Sequence, residues 1–217
     1  MKYVIFDFDG TLLDSMTIWD DISVKFLERY GKELTPLLIN KLRTLTVRQS
    51  AELFKEIFDL SPSVEELTSE IADMAAKEYA NNIPLKPFVL DFLEYLSSSK
   101  SKMCIATASS RQNVKQVLAR FNLQKHFDFI IAAEDIKTGK EQPEIFLECS
   151  RRFGAAPSEI TVFEDAVHAV KTAKNAGFRV IGVYDKSSEK YRTEIKAICD
   201  LYIYNFGELL EGLEGLG

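Results

Sequence analysis

Lys2-Tyr3-Val4-Ile5-Phe6-Asp7-Phe8-Asp9-Gly10-Thr11 opens with a short, almost unbroken apolar run and ends in two acids, a glycine and a threonine. The run through Phe8 is rich in β-branched and aromatic residues and does not alternate with polar ones. It therefore reads as a strand buried on both faces, as in a parallel sheet. Five similar runs follow: Met103-Cys104-Ile105-Ala106, Phe129-Ile130-Ile131, Ile160-Thr161-Val162-Phe163, Val180-Ile181-Gly182-Val183 and Leu201-Tyr202-Ile203-Tyr204. Helical periodicity fills most of the gaps. Val114, Val117, Leu118 and Phe121 share a face behind the candidate N-caps Ser109 and Ser110. Ala166, Ala169, Ala173 and Ala176 give another helix a small-residue face, with Gly177 placed to end it. Strands alternating with helices predict an α/β fold with a mostly parallel sheet.

Residues 15–83 break the alternation. Ile18, Ile22, Phe26 and Tyr30 share one helical face, Val47, Ala51, Phe54 and Phe58 another, and Ser63 with Glu66 forms a capping box that opens a third helix. The expected organisation is a core of residues 1–14 and 84–217 interrupted by an all-helical insert, with Pro84 and Pro87 marking the return to the sheet. An insert at a strand's carboxyl end stands where open α/β sheets place their ligands, so it is expected to act as a lid. The last stretch, from Glu211 to Gly217, is expected to fray.

The chain's 217 residues are 46% apolar and 28% charged, which fits a folded globular protein. A net charge of −6 makes nucleic acid a poor partner. No apolar run reaches the ~20 residues of a membrane span, and no leader pattern precedes the first strand, so a cytoplasmic setting without membrane association is expected. Cys104, Cys149 and Cys199 stand in unrelated contexts and read as thiols of a reducing compartment. The two histidines, His126 and His168, exclude a histidine-rich zinc site. A monomer or weak homodimer is expected.

Asp7 and Asp9 stand at the tip of the first strand, where two like charges need a cation or hydrogen bonds. Gly10 lets the chain turn there. Glu164-Asp165 ends another strand of the same expected direction, so Asp165 and Asp7 are expected on one sheet edge. Carboxylates with oxygen-only ligation fit Mg2+. Thr107 and Ser109 follow a third strand with a hydroxyl and helix-start amides suited to a phosphate oxygen, and Lys140 offers a cation. Such a set suits phosphoryl transfer through an acyl-phosphate. Asp7 would be the nucleophile, Asp9 the acid and base, and Mg2+ with Lys140 would offset charge on the phosphate.

In this order, Asp7-Phe8-Asp9-Gly10-Thr11, Thr107, Lys140 and Glu164-Asp165 resemble the four motifs of the haloacid dehalogenase-like (HAD) superfamily. The helical insert resembles its C1-type cap, and the likeness is closest to the beta-phosphoglucomutase-like phosphatases. The resemblance implies a Rossmann-like core and Asp7 as nucleophile with Asp9 as acid/base. Thr107, Ser109 and Lys140 would bind phosphate. Mg2+ would sit on the Asp7 carboxylate, the Asp9 backbone carbonyl and Asp165, with Glu164 in or near its shell. The acid at Asp9 argues against a dehalogenase. Departures are Glu141-Gln142-Pro143 after Lys140 where the family often has Pro-x-Pro, and Ala169 where it often has glycine. The mutases carry a cap histidine; the matching stretch here offers Trp19, which favours a phosphatase. Arg48 stands near the cap arginine that grips a second phosphate in the mutases, with Arg43 a weaker candidate, so Trp19 and Arg48 are the expected substrate contacts. The implied activity is hydrolysis of a small phosphorylated metabolite. The alternatives are a phosphohexomutase and a non-enzymatic, receiver-like phosphate- or magnesium-binding module.

Overall fold

The structure is a computed structural model that describes residues 1–42, 45–132, 134–136 and 139–214. Six parallel strands form one sheet: β1 (Tyr3–Phe6), β2 (Lys102–Ala106), β3 (Phe129–Ile131), β4 (Ile160–Glu164), β5 (Arg179–Val183) and β6 (Leu201–Ile203). Their spatial order is β3-β2-β1-β4-β5-β6. The chain leaves β1 towards β2 and β3, then returns to the other side of β1 for β4, β5 and β6. β1 is thus the topological switch point, and the crevice beyond its carboxyl end is where such sheets bind ligands.

Helices cover both faces, so alternate residues of each strand point into different cores. On one face Phe6 stacks on Phe163 with ring centroids 4.8 Å apart, and Phe92 and Phe206 close over them, 5.3 Å from each other. Those two rings are carried by α5 (Val89–Ser98) and by the residue before α10 (Gly207–Glu214). On the other face Ile5, Cys104, Val162 and Val180 pack with Phe146, Cys149, Ala169, Ala173 and Ile195. These come from α7 (Glu144–Phe153), α8 (Val167–Asn175) and α9 (Arg192–Ile198). Ala169 is fully buried, so the alanine at the family's glycine position serves close packing. Gly177 follows the C-cap Ala176 with φ +89° and ends α8 as expected. The remaining helix of this unit is α6 (Arg111–Phe121), capped by Ser110, whose hydroxyl accepts the Asn113 N–H at 3.2 Å.

By its contacts the chain divides into two compact units, Met1–Asp14 with Pro84–Gly217, and Ser15–Ile83. The second holds α1 (Met16–Arg29), α2 (Pro36–Leu42), α3 (Val47–Phe58) and α4 (Val64–Asn81). Its own core includes Phe26 and Phe54, whose rings are 5.4 Å apart, and the fully buried Tyr79. The Ser63–Glu66 capping box is present, and Thr46 with Gln49 forms a second one at the start of α3. This unit has one helix more than the three expected: α2 is short, with Pro36 in its first turn and the Thr35 hydroxyl accepting the Leu38 N–H. The expected fraying from Glu211 is also corrected, since α10 continues to Glu214; residues 215–217 lie outside the described residues. Cys104 and Cys149 are buried free thiols and Cys199 is half-buried. No helix among the described residues is long and apolar enough to cross a membrane.

Candidate active site

Strand register gathers the acids. Phe6 pairs with Ile105 of β2 and with Phe163 of β4, and the Asp7 N–H donates to Phe163 O at 3.0 Å. Asp7, Thr107 and Glu164-Asp165 therefore emerge side by side at the carboxyl edge. The carboxylates of Asp7, Glu164 and Asp165 are buried, and each offers an oxygen within 4.8 Å of the others.

The loop after β1 is tied to that edge. The Leu12 and Leu13 N–H groups donate to Phe8 O, and the Gly10 N–H donates to Leu13 O. Gly10 holds φ +84°, which a side chain disfavours. Thr11 Oγ1 donates to Asp165 Oδ1 at 3.0 Å and fixes that carboxylate. Thr11 had no role in the sequence reading beyond its place in the motif, and its partner lies 154 residues away.

Lys140 is buried and donates to both Asp7 Oδ1 and Glu164 Oε2. Glu141 is exposed, and Lys140 is held at the edge by its own two acids despite that neighbouring charge. Glu164 is fully engaged: besides Lys140, its Oε1 accepts the backbone N–H groups of Asp165 (3.1 Å) and Ala166 (3.0 Å) at the start of α8. It holds the lysine and caps the helix, leaving Asp7 and Asp165 with uncommitted lone pairs. Burial, then the Glu164 charge, lifts Asp7 to about 6 despite Lys140. Burial, then Glu164 and Asp7, hold the Asp165 carboxyl well above its ordinary range.

Three buried carboxylates and one buried ammonium leave two negative charges uncompensated. One divalent cation balances that charge, and all the donors are hard oxygens, so the residues fit Mg2+. The Asp9 carboxylate is not in this cluster; it accepts Ser109 Oγ at 2.5 Å. Ser109 in turn donates its N–H to Thr107 Oγ1 at 2.9 Å, so Asp9, Ser109 and Thr107 form one hydrogen-bonded chain.

Two further charged groups escaped sequence reading. Lys86 and Asp185 form a buried pair, Nζ to Oδ2 2.8 Å, and Lys86 also donates to Tyr184 O at 2.6 Å. Nothing local in the sequence links residues 99 positions apart. In the insert, Trp19 donates its indole N–H to Tyr79 Oη at 3.1 Å. Arg48 is exposed and paired with Glu65 (3.0 Å) and Glu52 (3.2 Å). Arg43 lies outside the described residues.

Residues 4–183 match the model of the family described as haloacid dehalogenase-like hydrolase. The chain is 29% identical to a phosphorylated carbohydrates phosphatase of Thermotoga maritima, an alignment covering 84% of this chain and 85% of that one. It is 28% identical to the fructose-1-phosphate phosphatase YqaB of Escherichia coli, over 83% of this chain and 95% of that one. A Thermotoga maritima crystal structure, provisionally titled a beta-phosphoglucomutase, superposes with a TM-score of 0.78 at 26% identity and covers 100% of both chains. With its motifs assembled on one edge of a six-stranded parallel sheet, the chain belongs to the haloacid dehalogenase-like hydrolase family.

Proposed function

We propose that this chain is a magnesium-dependent phosphatase that hydrolyses a small phosphorylated metabolite through an aspartyl-phosphate on Asp7. The observation that carries the reading is the buried Asp7 carboxylate, gripped at one oxygen by Lys140, beside Asp165 and two residues before a second acid. The phosphatases named among its relatives point the same way.

Asp7 attacks phosphorus and the substrate's ester oxygen leaves. Asp9, oriented by Ser109, gives that oxygen its proton. Asp9 then takes a proton from the water that attacks the phosphorus of the aspartyl-phosphate, releasing phosphate and restoring Asp7. Thr107, Ser109 and Lys140 bind the phosphate oxygens as charge shifts onto them. Asp7, Asp165 and the Asp9 backbone carbonyl would hold Mg2+, which when bound would supply positive charge to offset the repulsion between the anionic phosphate and a carboxylate. Glu164 acts through Lys140. The helical insert is the lid and carries substrate selection, with Trp19 and Arg48 as candidate contacts; Arg48 would have to exchange Glu52 and Glu65 for substrate. The acidic surface and free thiols suit a cytoplasmic enzyme.

An Asp7→Asn variant should lose release of p-nitrophenol from p-nitrophenyl phosphate, and EDTA should stop the wild type until magnesium is restored. Turnover by Asp7→Asn at the wild-type rate would refute the mechanism. The structural likeness to a protein titled a beta-phosphoglucomutase motivates a second reading, a phosphohexomutase. Glucose 6-phosphate formed from beta-glucose 1-phosphate, with a bisphosphate activator and little free phosphate, would favour the mutase.

A further inference from the structure

Behind the catalytic edge, where β2 begins, Ser97, Lys100, Lys102, Lys125, His126 and Asp128 line a cavity of about 300 Å³. We propose that this cavity is a second anion site, taking a small phosphate-type oxyanion. It lies at the amino end of β2 while Thr107 lies past its carboxyl end, so a five-residue strand, roughly 16 Å, separates the two. The inference holds whether or not the catalytic edge is a phosphatase.

Charge comes first. The chain carries a net −6, yet three lysines converge here. The wall's acid, Asp128, is committed: Oδ1 accepts Lys102 Nζ at 2.9 Å and Oδ2 accepts the Met103 N–H at 3.0 Å. The carboxylate whose field reaches the His126 ring is that of Glu94. Among the described residues, Lys100 and Lys125 have no acidic partner, so two ammonium groups remain for a ligand.

The backbone adds an independent observation. Lys100 sits just past the C-cap of α5 with φ +59°. Its N–H donates to Ser97 O and the Ser101 N–H to Leu96 O, both at 3.0 Å, which closes the helix end in a Schellman motif. That position favours glycine, because a Cβ is strained there. A lysine held in a glycine's conformation points to a use for its ammonium group. His126 stands in the same wall. Its Nδ1 lies 2.7 Å from Ser97 Oγ, while Nε2 is buried without a hydrogen-bond partner. Two cations without an acidic partner leave this wall short of acceptors, which an oxyanion supplies.

The two histidines give each edge its own reporter. His126 lines the cavity, and the His168 ring feels the charges of Glu141, Lys140 and Asp7 at the other edge. Inorganic phosphate is titrated at fixed pH while the histidine ring resonances are followed by NMR, with chloride at equal ionic strength as the control. In the wild type the His126 resonances should shift saturably with phosphate and not with chloride. In Lys100→Gly/Lys125→Ala that shift should vanish while p-nitrophenyl phosphate turnover is unchanged. Lys100→Gly alone should raise Tm and weaken phosphate binding at His126, the opposite signs expected of a residue kept for binding. His126 resonances that stay still in the wild type, or that move equally in the double variant, overturn the proposal. Neither result bears on Asp7, whose variant tests the catalytic reading separately.

Discussion

A Cβ placed on Gly10 would stand 2.5 Å from Asp165 Oδ2 and 2.6 Å from its Cγ. The glycine's φ of +84° adds backbone strain for any other residue. The atom in the way is the tip of a carboxylate, which can swing aside, so the fold survives a substitution here. What does not survive is the placement of Asp165, held by Thr11 in the position that completes the acid cluster. Gly10→Ala should therefore cost about 1–2 kcal/mol of stability in urea melts. It should also lower kcat/KM for p-nitrophenyl phosphate by about 100-fold, as expected for a misplacement near 1 Å. A variant that kept wild-type kcat/KM would show that Asp165 need not stay where Thr11 holds it. At this scale much was legible in the sequence. Asp7, Asp9, Gly10, Thr107 and Asp165 were each singled out because acids, glycine and hydroxyls at strand tips carry a local signature, whereas Lys140, in a loop, was named only as a cation for the same edge. Thr11 holding Asp165, and Glu164 holding Lys140, were not legible, since both depend on which loops meet.

Lys86 and Asp185 join two loops that no local signal connects. Lys86 N–H donates to Leu12 O, Leu13 bridges Leu85, and the Asp14 N–H donates to Pro84 O at 3.1 Å, so both ends of the insert leave from one short antiparallel ladder. The Lys86 ammonium pins that ladder to the loop after β5, with Tyr184 O and Asp185 as acceptors. Both side chains are under a tenth exposed, so removing one leaves the other buried and unpaired. Lys86→Met should cost about 3–5 kcal/mol, and Lys86→Met/Asp185→Leu should recover much of it, as replacing a buried pair with apolar groups often does. Urea melts of the two single variants and the double would measure the coupling; additive losses would mean that the pair is not a unit. The six strands were readable because each is a short apolar run, buried on both faces in the central β1 and β4 and only partly buried in the edge strands β3 and β6. Their lateral order was not, because a two-sided apolar strand says nothing about its neighbours. The missed α2 has only seven residues, too few for periodicity to show, and its signal was the Thr35-Pro36 cap. The stretch from Glu211 was expected to fray as a chain end, whereas α10 runs on to Glu214 from a start anchored by Glu208 Oε1, which accepts the Tyr204 and Asn205 N–H groups.

At the scale of the whole molecule, the residues proposed to carry the chemistry, Asp7, Asp9, Thr107, Lys140 and Asp165, all belong to one unit, which has its own two-faced core. The insert contributes none of them and has a separate core around Phe26, Phe54 and Tyr79. If the insert is a lid that selects substrate, chemistry and selectivity are separable by cutting the chain where it leaves and re-enters the sheet unit. Asp14 and Pro84 are already hydrogen-bonded neighbours, so a short Asn-Gly-containing turn can close the gap without stretching the core. A chain of residues 1–14 and 84–217 joined in this way should still fold, seen as a cooperative urea transition with the far-UV circular dichroism of an α/β unit that has lost the helices of the insert. Its p-nitrophenyl phosphate hydrolysis should be slower, because the open edge admits water that weakens each electrostatic contact to the phosphate. Across a panel of sugar phosphates and other phosphorylated metabolites, the spread in kcat/KM seen for the full chain should collapse towards a common low value. A shortened chain that folds, hydrolyses p-nitrophenyl phosphate and still ranks the panel as the full chain does would place selectivity in the sheet unit and remove the lid's role. One that fails to fold would show that the insert's packing is needed for stability, and selectivity would then be sought by substituting Trp19 and Arg48 in the intact chain.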